Sequence, residues 1–185
     1  MTYEHFDSDV ARFDGLRAIA AFADRTLSAD ETRKVIDEIF TLYGGREGGL
    51  ASGALNAAMI LMLQIVPDVR AEMIARARSW TLEKIDGLEI GTAAASDLED
   101  YGACLDGLKA IEVFVGEDHS QAEAQRIVDE IFVRYYQEDR YHELAKGVID
   151  AVAVLMMQIT PDAETKIITV VQSWYLHDMD KGLGN

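Results

Sequence analysis

The residues able to do chemistry are few in this chain, and their spacing suits it poorly. His5, His119, His142 and His177 are scattered, and only Asp139-x-x-His142 has the spacing of two ligands on one helix face. A carboxylate-bridged di-iron bundle needs inward Glu-x-x-His on two helices and two further inward glutamates. The chain supplies one Asp-x-x-His and no histidine at the matching place in its first half. No metal site and no cofactor is therefore expected. Cys104 is the sole thiol and falls among Tyr101, Leu105 and Leu108 on an apolar stripe. A thiol in such surroundings is inert, and a single cysteine excludes an internal disulfide.

The sequence contains no nucleophile elbow, zincin helix, paired-cysteine motif or Walker loop. The run Gly44-Gly45-Arg46-Glu47-Gly48-Gly49 is glycine-rich. A phosphate cradle needs a strand before such a run and a helix after it, so a helix C-cap and turn is the expectation here. The adjacent acids Asp37-Glu38 and Asp129-Glu130 fall opposite the apolar face of their helices and read as solvated. No catalytic residue is assigned.

Recognition chemistry is better supplied. Tyr135, Tyr136, Glu138, Asp139, Arg140 and Tyr141 crowd a turn expected at the surface. Tyrosine and arginine are typical interface anchors. The net charge of −16 is uneven, with −5 on residues 1–92 and −11 on residues 93–185. Direct nucleic-acid binding is disfavoured, because a phosphate backbone calls for a basic footprint. Anionic lipid is disfavoured on the same ground. A protein partner with a basic surface is the expected complement.

The elements that must position these residues are helices, and they come in two sets. Residues 13–40 and 105–132 match at an offset of 92, with 12 of 28 positions identical. LMLQIVPD at 61–68 answers LMMQITPD at 155–162, at an offset of 94. Self-similarity over so long a period marks a duplicated architecture. The fold class is all-α: a tandem duplication of a four-helix unit, about eight helices in two packed bundles related by a pseudo-two-fold or a screw. A short α-solenoid is the alternative. The units are residues 1–90 and 96–185, packed as one compact body, with Gly87 to Ala95 as a short linker.

Local signals place the helices. Phe6, Val10, Phe13, Leu16, Ala20, Ala23 and Leu27 make an apolar stripe. Gly15, Ile19 and Phe22 form a second row beside it, repeated by Gly107, Ile111 and Phe114, and predict a close helix crossing. Ser28-x-x-Glu31, Ser120-x-x-Glu123 and Ser96-x-x-Glu99 read as capping boxes. The third helix of each set, about 50–66 and 140–160, is apolar nearly all round and should be central. Pro67 and Pro161 open the fourth helices, Gln64 and Gln158 bond to those turns, and Trp80 and Trp174 anchor their ends. Met59, Met62, Met156 and Met157 read as gap-fillers.

The N-terminus lacks the basic and apolar regions of a signal peptide, and no apolar run approaches the roughly 20 residues that span a bilayer. A reducing cytoplasm is the expected location, as monomer or homodimer. The function expected is a non-enzymatic acidic helical protein that binds and regulates or inhibits another protein, by covering a basic or nucleic-acid-binding surface. The alternative is an enzyme or small-ligand binder with a pocket between the two units.

Overall fold

The computed structural model describes residues 8–24, 26–63, 67–89, 95–116 and 118–156, with Thr169 and Ser173. Seven helices account for most of them: α1 Ser8–Ala23, α2 Ala29–Leu42, α3 Glu47–Leu63, α4 Pro67–Glu89, α5 Ala95–Val115, α6 Gln121–Gln137 and α7 Tyr141–Met156. No strand occurs among the described residues, so the protein is all-α. No helix among them is long and apolar enough to cross a membrane. The helix expected after Pro161, the side chains of Trp80 and Trp174, and Gln64, Gln158 and Met157 lie outside the described residues.

Two close crossings organise the core. A Cβ on Gly15 would sit 2.6 Å from the Ala54 Cα, and one on Gly53 would overlap the Ala11 carbonyl. In the second half, a Cβ on Gly107 would sit 2.9 Å from the Val148 Cα, and one on Gly147 would overlap the Ala103 backbone. Helices α1 and α3, and likewise α5 and α7, therefore touch backbone to backbone, which only glycine permits. The Gly15 and Gly107 crossings were expected; Gly53 and Gly147 are their partners across each contact.

The crossing also decides which side of α1 is buried. Ala11, Leu16, Ala18 and Ile19 are in the core, while Val10 is 47% exposed. The expected stripe is rotated toward the small-residue row, because that row allows the closest approach to α3. Helices α3 and α7 pack on each other at the centre, α1 touches α7, and α3 touches α5. As expected, α3 is buried on most sides, from Leu50 through Ala54 and Leu61 to Met62. Leu144, Val148 and Ile149 do the same for α7.

Helices α2 and α6 lie outside this centre, on α1 and α5 respectively. The Ser28 box closes in full: Ser28 Oγ accepts from the Glu31 amide at 3.3 Å, and the Ser28 amide donates to Glu31 Oε2 at 2.7 Å. At α6 only the Ser120 arm forms, at 3.3 Å; the Glu123 carboxylate lies 3.7 Å from His119 Nδ1 instead. Ser96 is inside the first turn of α5 rather than capping it, and Gly87 to Glu89 continue α4. The α2 helix is capped at Tyr43, and Gly45 takes the left-handed φ of 77° that turns the chain into α3.

Helix α4 packs against α5 and α7, in the other half of the sequence. Met73, Ile74 and Ala77 are buried there, and Arg78 pairs with Glu112 of α5. Near its start, buried Arg70 donates to the Met62 carbonyl at 3.4 Å. A cation there suits the negative end of the α3 dipole.

Candidate functional site

The corner between α6 and α7 is built on a buried phenol. Tyr135 is only 4% exposed and turns inward, where its hydroxyl donates to Asp106 Oδ2 at 2.8 Å. Tyr43, 92 residues earlier, donates to Asp14 Oδ2 at 2.9 Å in the same way. Burial, then the bond to the carboxylate, pushes both phenols well above their ordinary value near 10. Tyr135 was expected at the surface, and its position corrects that. Its ring is buried, and its hydroxyl ties α6 to α5. The Asp14 and Asp106 acceptors escaped sequence reasoning, although an acid repeated within two matched apolar stripes was the available signal.

Around that anchor the corner is tightly bonded. The Glu138 amide caps α6 by donating to the Arg134 carbonyl, and the Arg140 amide donates to the Tyr135 carbonyl at 2.9 Å. Asp139 adopts φ 53°, a left-handed conformation that aspartate tolerates better than most residues. Arg140 pairs with Glu138 at 3.0 Å and, through Nε, with Glu143 at 2.6 Å. Arg134 pairs with Asp106. The Arg134 and Arg140 guanidiniums lie 5.3 and 5.7 Å from the Tyr135 ring centre, within cation–π range.

Tyr136 and Tyr141 form the accessible part. Tyr136 is 55% exposed, and its ring centre is 5.9 Å from that of Tyr141. Tyr141 is half-buried, 6.3 Å from Phe132, and rests on Gly48 of α3, where a Cβ would meet the ring at 3.1 Å. His142 lies beside it, its ring 4.7 Å from Phe40 of α2. The corner is thus an aromatic seam to which both halves contribute. Asp139 lies in the turn outside α7 and His142 faces Phe40, so the two do not converge as ligands. Among the described residues, no group of three histidine, cysteine or acidic side chains could hold a metal.

Two open grooves lie elsewhere. One, of about 590 Å³, runs along the outer face of α6 past Gln125, Asp129 and Val133. The other, of about 600 Å³, follows α2 past Arg33, Asp37 and Leu42. Both are on outward helix faces, away from the α3–α7 contact. The acids in them are solvated as expected: Arg126 meets Glu130, and Gln125 donates to Asp129 at 2.8 Å.

Cys104 is buried. Burial, and secondarily Asp150, pushes its thiol from the ordinary 9.0 up to about 12. Little thiolate exists near pH 8 in the fold, so its reaction with an aromatic disulfide reagent should be at least about 100-fold slower than in denaturant. A folded-state rate within about threefold of the denatured rate would contradict this burial.

Comparison with family models, curated proteins and solved structures finds no match for this chain.

Proposed function

We propose that this is an acidic helical protein that binds another protein through the α6–α7 corner and regulates or inhibits it by covering a basic surface. One observation carries the reading: Tyr136 stands more than half exposed on an otherwise pinned aromatic seam, beside Glu138 and Asp139. An exposed tyrosine held by rigid neighbours can bury apolar area on binding with little entropic cost. The overall charge of −16 would steer a basic partner inward and make association salt-sensitive.

We also propose that the chain is a tandem duplication, residues 1–90 and 96–185, about a pseudo-two-fold axis. The repeated Asp–Tyr bonds, the paired glycine crossings and the reciprocal α1–α7 and α3–α5 contacts support this reading. A reducing cytoplasm suits the single thiol.

The test is to capture partners from the native host on immobilised wild-type protein, then measure the affinity of each captured protein for the wild type and for Tyr136→Ala. Tyr136→Ala is expected to weaken binding at least about 30-fold, as a 2 kcal/mol hot spot would. Glu138→Lys/Asp139→Lys should slow association and reduce its dependence on salt. Affinities within about twofold of wild type for both variants would place the binding surface elsewhere.

A further inference from the structure

We infer that the α6–α7 corner receives an arginine side chain from a basic segment of the partner, seated on the Tyr136 ring with its charge met by Asp139. This deepens the binding reading above and rests on it.

The corner already shows the geometry within itself. Tyr135 carries two guanidiniums, from Arg134 and Arg140, at 5.3 and 5.7 Å. The next residue, Tyr136, presents the same ring chemistry at 55% exposure. A planar guanidinium stacks on an aromatic face, whereas an ammonium is a compact and strongly hydrated point charge. Cation–π attraction acts within about 6 Å of a ring centre and strengthens as water leaves.

The carboxylates sort themselves by availability. Glu138 and Glu143 are engaged by Arg140. Asp139 is exposed, and its backbone amide is held 3.2 Å from the Tyr136 carbonyl. That bond ties the Asp139 backbone to the last turn of α6, which carries Tyr136, and the left-handed φ of 53° fixes the direction in which the chain leaves. The platform is also stiff, because Tyr141 is wedged between Tyr136, Phe132 and Gly48. Stiffness lowers the ordering cost of binding. The charge of −16 selects a cationic segment over an acidic one.

The experiment is an NMR titration of the full chain with acetyl-Gly-Arg-Gly-Arg-Gly-amide, using lysine and glutamate versions of the peptide as comparisons. The arginine peptide is expected to shift the Tyr136 ring and Asp139 amide signals saturably, and to bind at least about threefold more tightly than the lysine peptide. The glutamate peptide should give no shift. Tyr136→Ala and Asp139→Asn should each weaken the arginine peptide at least about fivefold. Val10→Ala, on the exposed side of α1 and in none of the corner's contacts, should leave it unchanged, and circular dichroism checks that each variant folds.

Equal affinity for arginine and lysine peptides overturns the inference. So do shifts that persist in Tyr136→Ala, shifts that map elsewhere, or no shift up to about 10 mM peptide, which is weaker than any useful contact. If a native partner is lost on Tyr136→Ala while the arginine peptide does not bind there, only this inference fails and the corner remains the binding surface.

Discussion

Gly53→Leu is expected to cost about 3 kcal/mol or more, at the upper end of what forced overpacking does. The first atom added already overlaps the Ala11 carbonyl, and backbone cannot rotate away as a side chain can. Helix α1 would have to retreat from α3, which loosens the packing of buried residues on both helices, such as Ile19 and Leu55. For a chain of this length, the melting temperature should fall by about 6–12 °C. Gly102→Ala is the matched control. It changes the same residue type inside α5, but nothing lies within 4 Å of the new Cβ. Removing an exposed helical glycine should raise stability by about 0.5–1 kcal/mol. Thermal melts of both variants decide the matter, and equal losses would mean that α1 and α3 do not touch here.

Asp14→Ala is expected to be the next largest loss, about 2 kcal/mol, because it removes the carboxylate to which the buried Tyr43 hydroxyl donates. The acid is 8% exposed and the bond is 2.9 Å long. Asp106→Ala should cost less, about 1 kcal/mol, since the Asp106 side chain is 22% exposed and water can reach its partners. Tyr43→Phe in the Asp14→Ala background should be nearly neutral, giving a coupling energy of about 1 kcal/mol or more in a double-mutant cycle. Additive losses would show that the hydroxyl and carboxylate do not interact.

The same bonds predict how stability responds to alkali. The fold holds the Tyr43 and Tyr135 protons above 10.0, where unfolded tyrosine ionises. Their contribution is therefore full below about pH 10 and is lost as pH rises toward the folded values. Tyr43→Phe/Tyr135→Phe should flatten the alkaline decline in melting temperature. An unchanged slope would remove these phenols as its source.

Much of the fold was legible from periodicity. Helical spacing marked α2 and α6, the Ser28 box marked where α2 begins, and a glycine repeated at Gly15 and Gly107 marked the two crossings. What escaped was anything set by the far side of a contact. Nothing local to Gly53 or Gly147 announces that Ala11 or Ala103 will press against it. The same blindness placed Tyr135 at the surface. Its neighbours are charged and its turn is exposed, yet the helical spacing of Val35, Ile39 and Phe40 extends to its counterpart Tyr43 and puts that residue on the buried face. Reading Tyr135 through that offset would have turned it inward and left Tyr136 as the exposed ring. The partition of α4 onto α5 and α7 was invisible for another reason. Amphipathic spacing says that a helix has a buried face, not which neighbours cover it.

The four crossing glycines also bear on how this sequence can drift. Any single-base change in a glycine codon that alters the amino acid introduces a residue with a Cβ. At Gly15, Gly53, Gly107 and Gly147 that atom has no room, so every one-step missense path from these codons passes through a clash. The outer faces of α2 and α6 have no such constraint, since residues such as Asp37, Leu42, Asp129 and Val133 are exposed. In a saturation-mutagenesis library selected for folded protein, those four codons should be the most depleted of variants. The outward faces should absorb most of the surviving diversity, leaving the surface free to diverge over an interior that cannot.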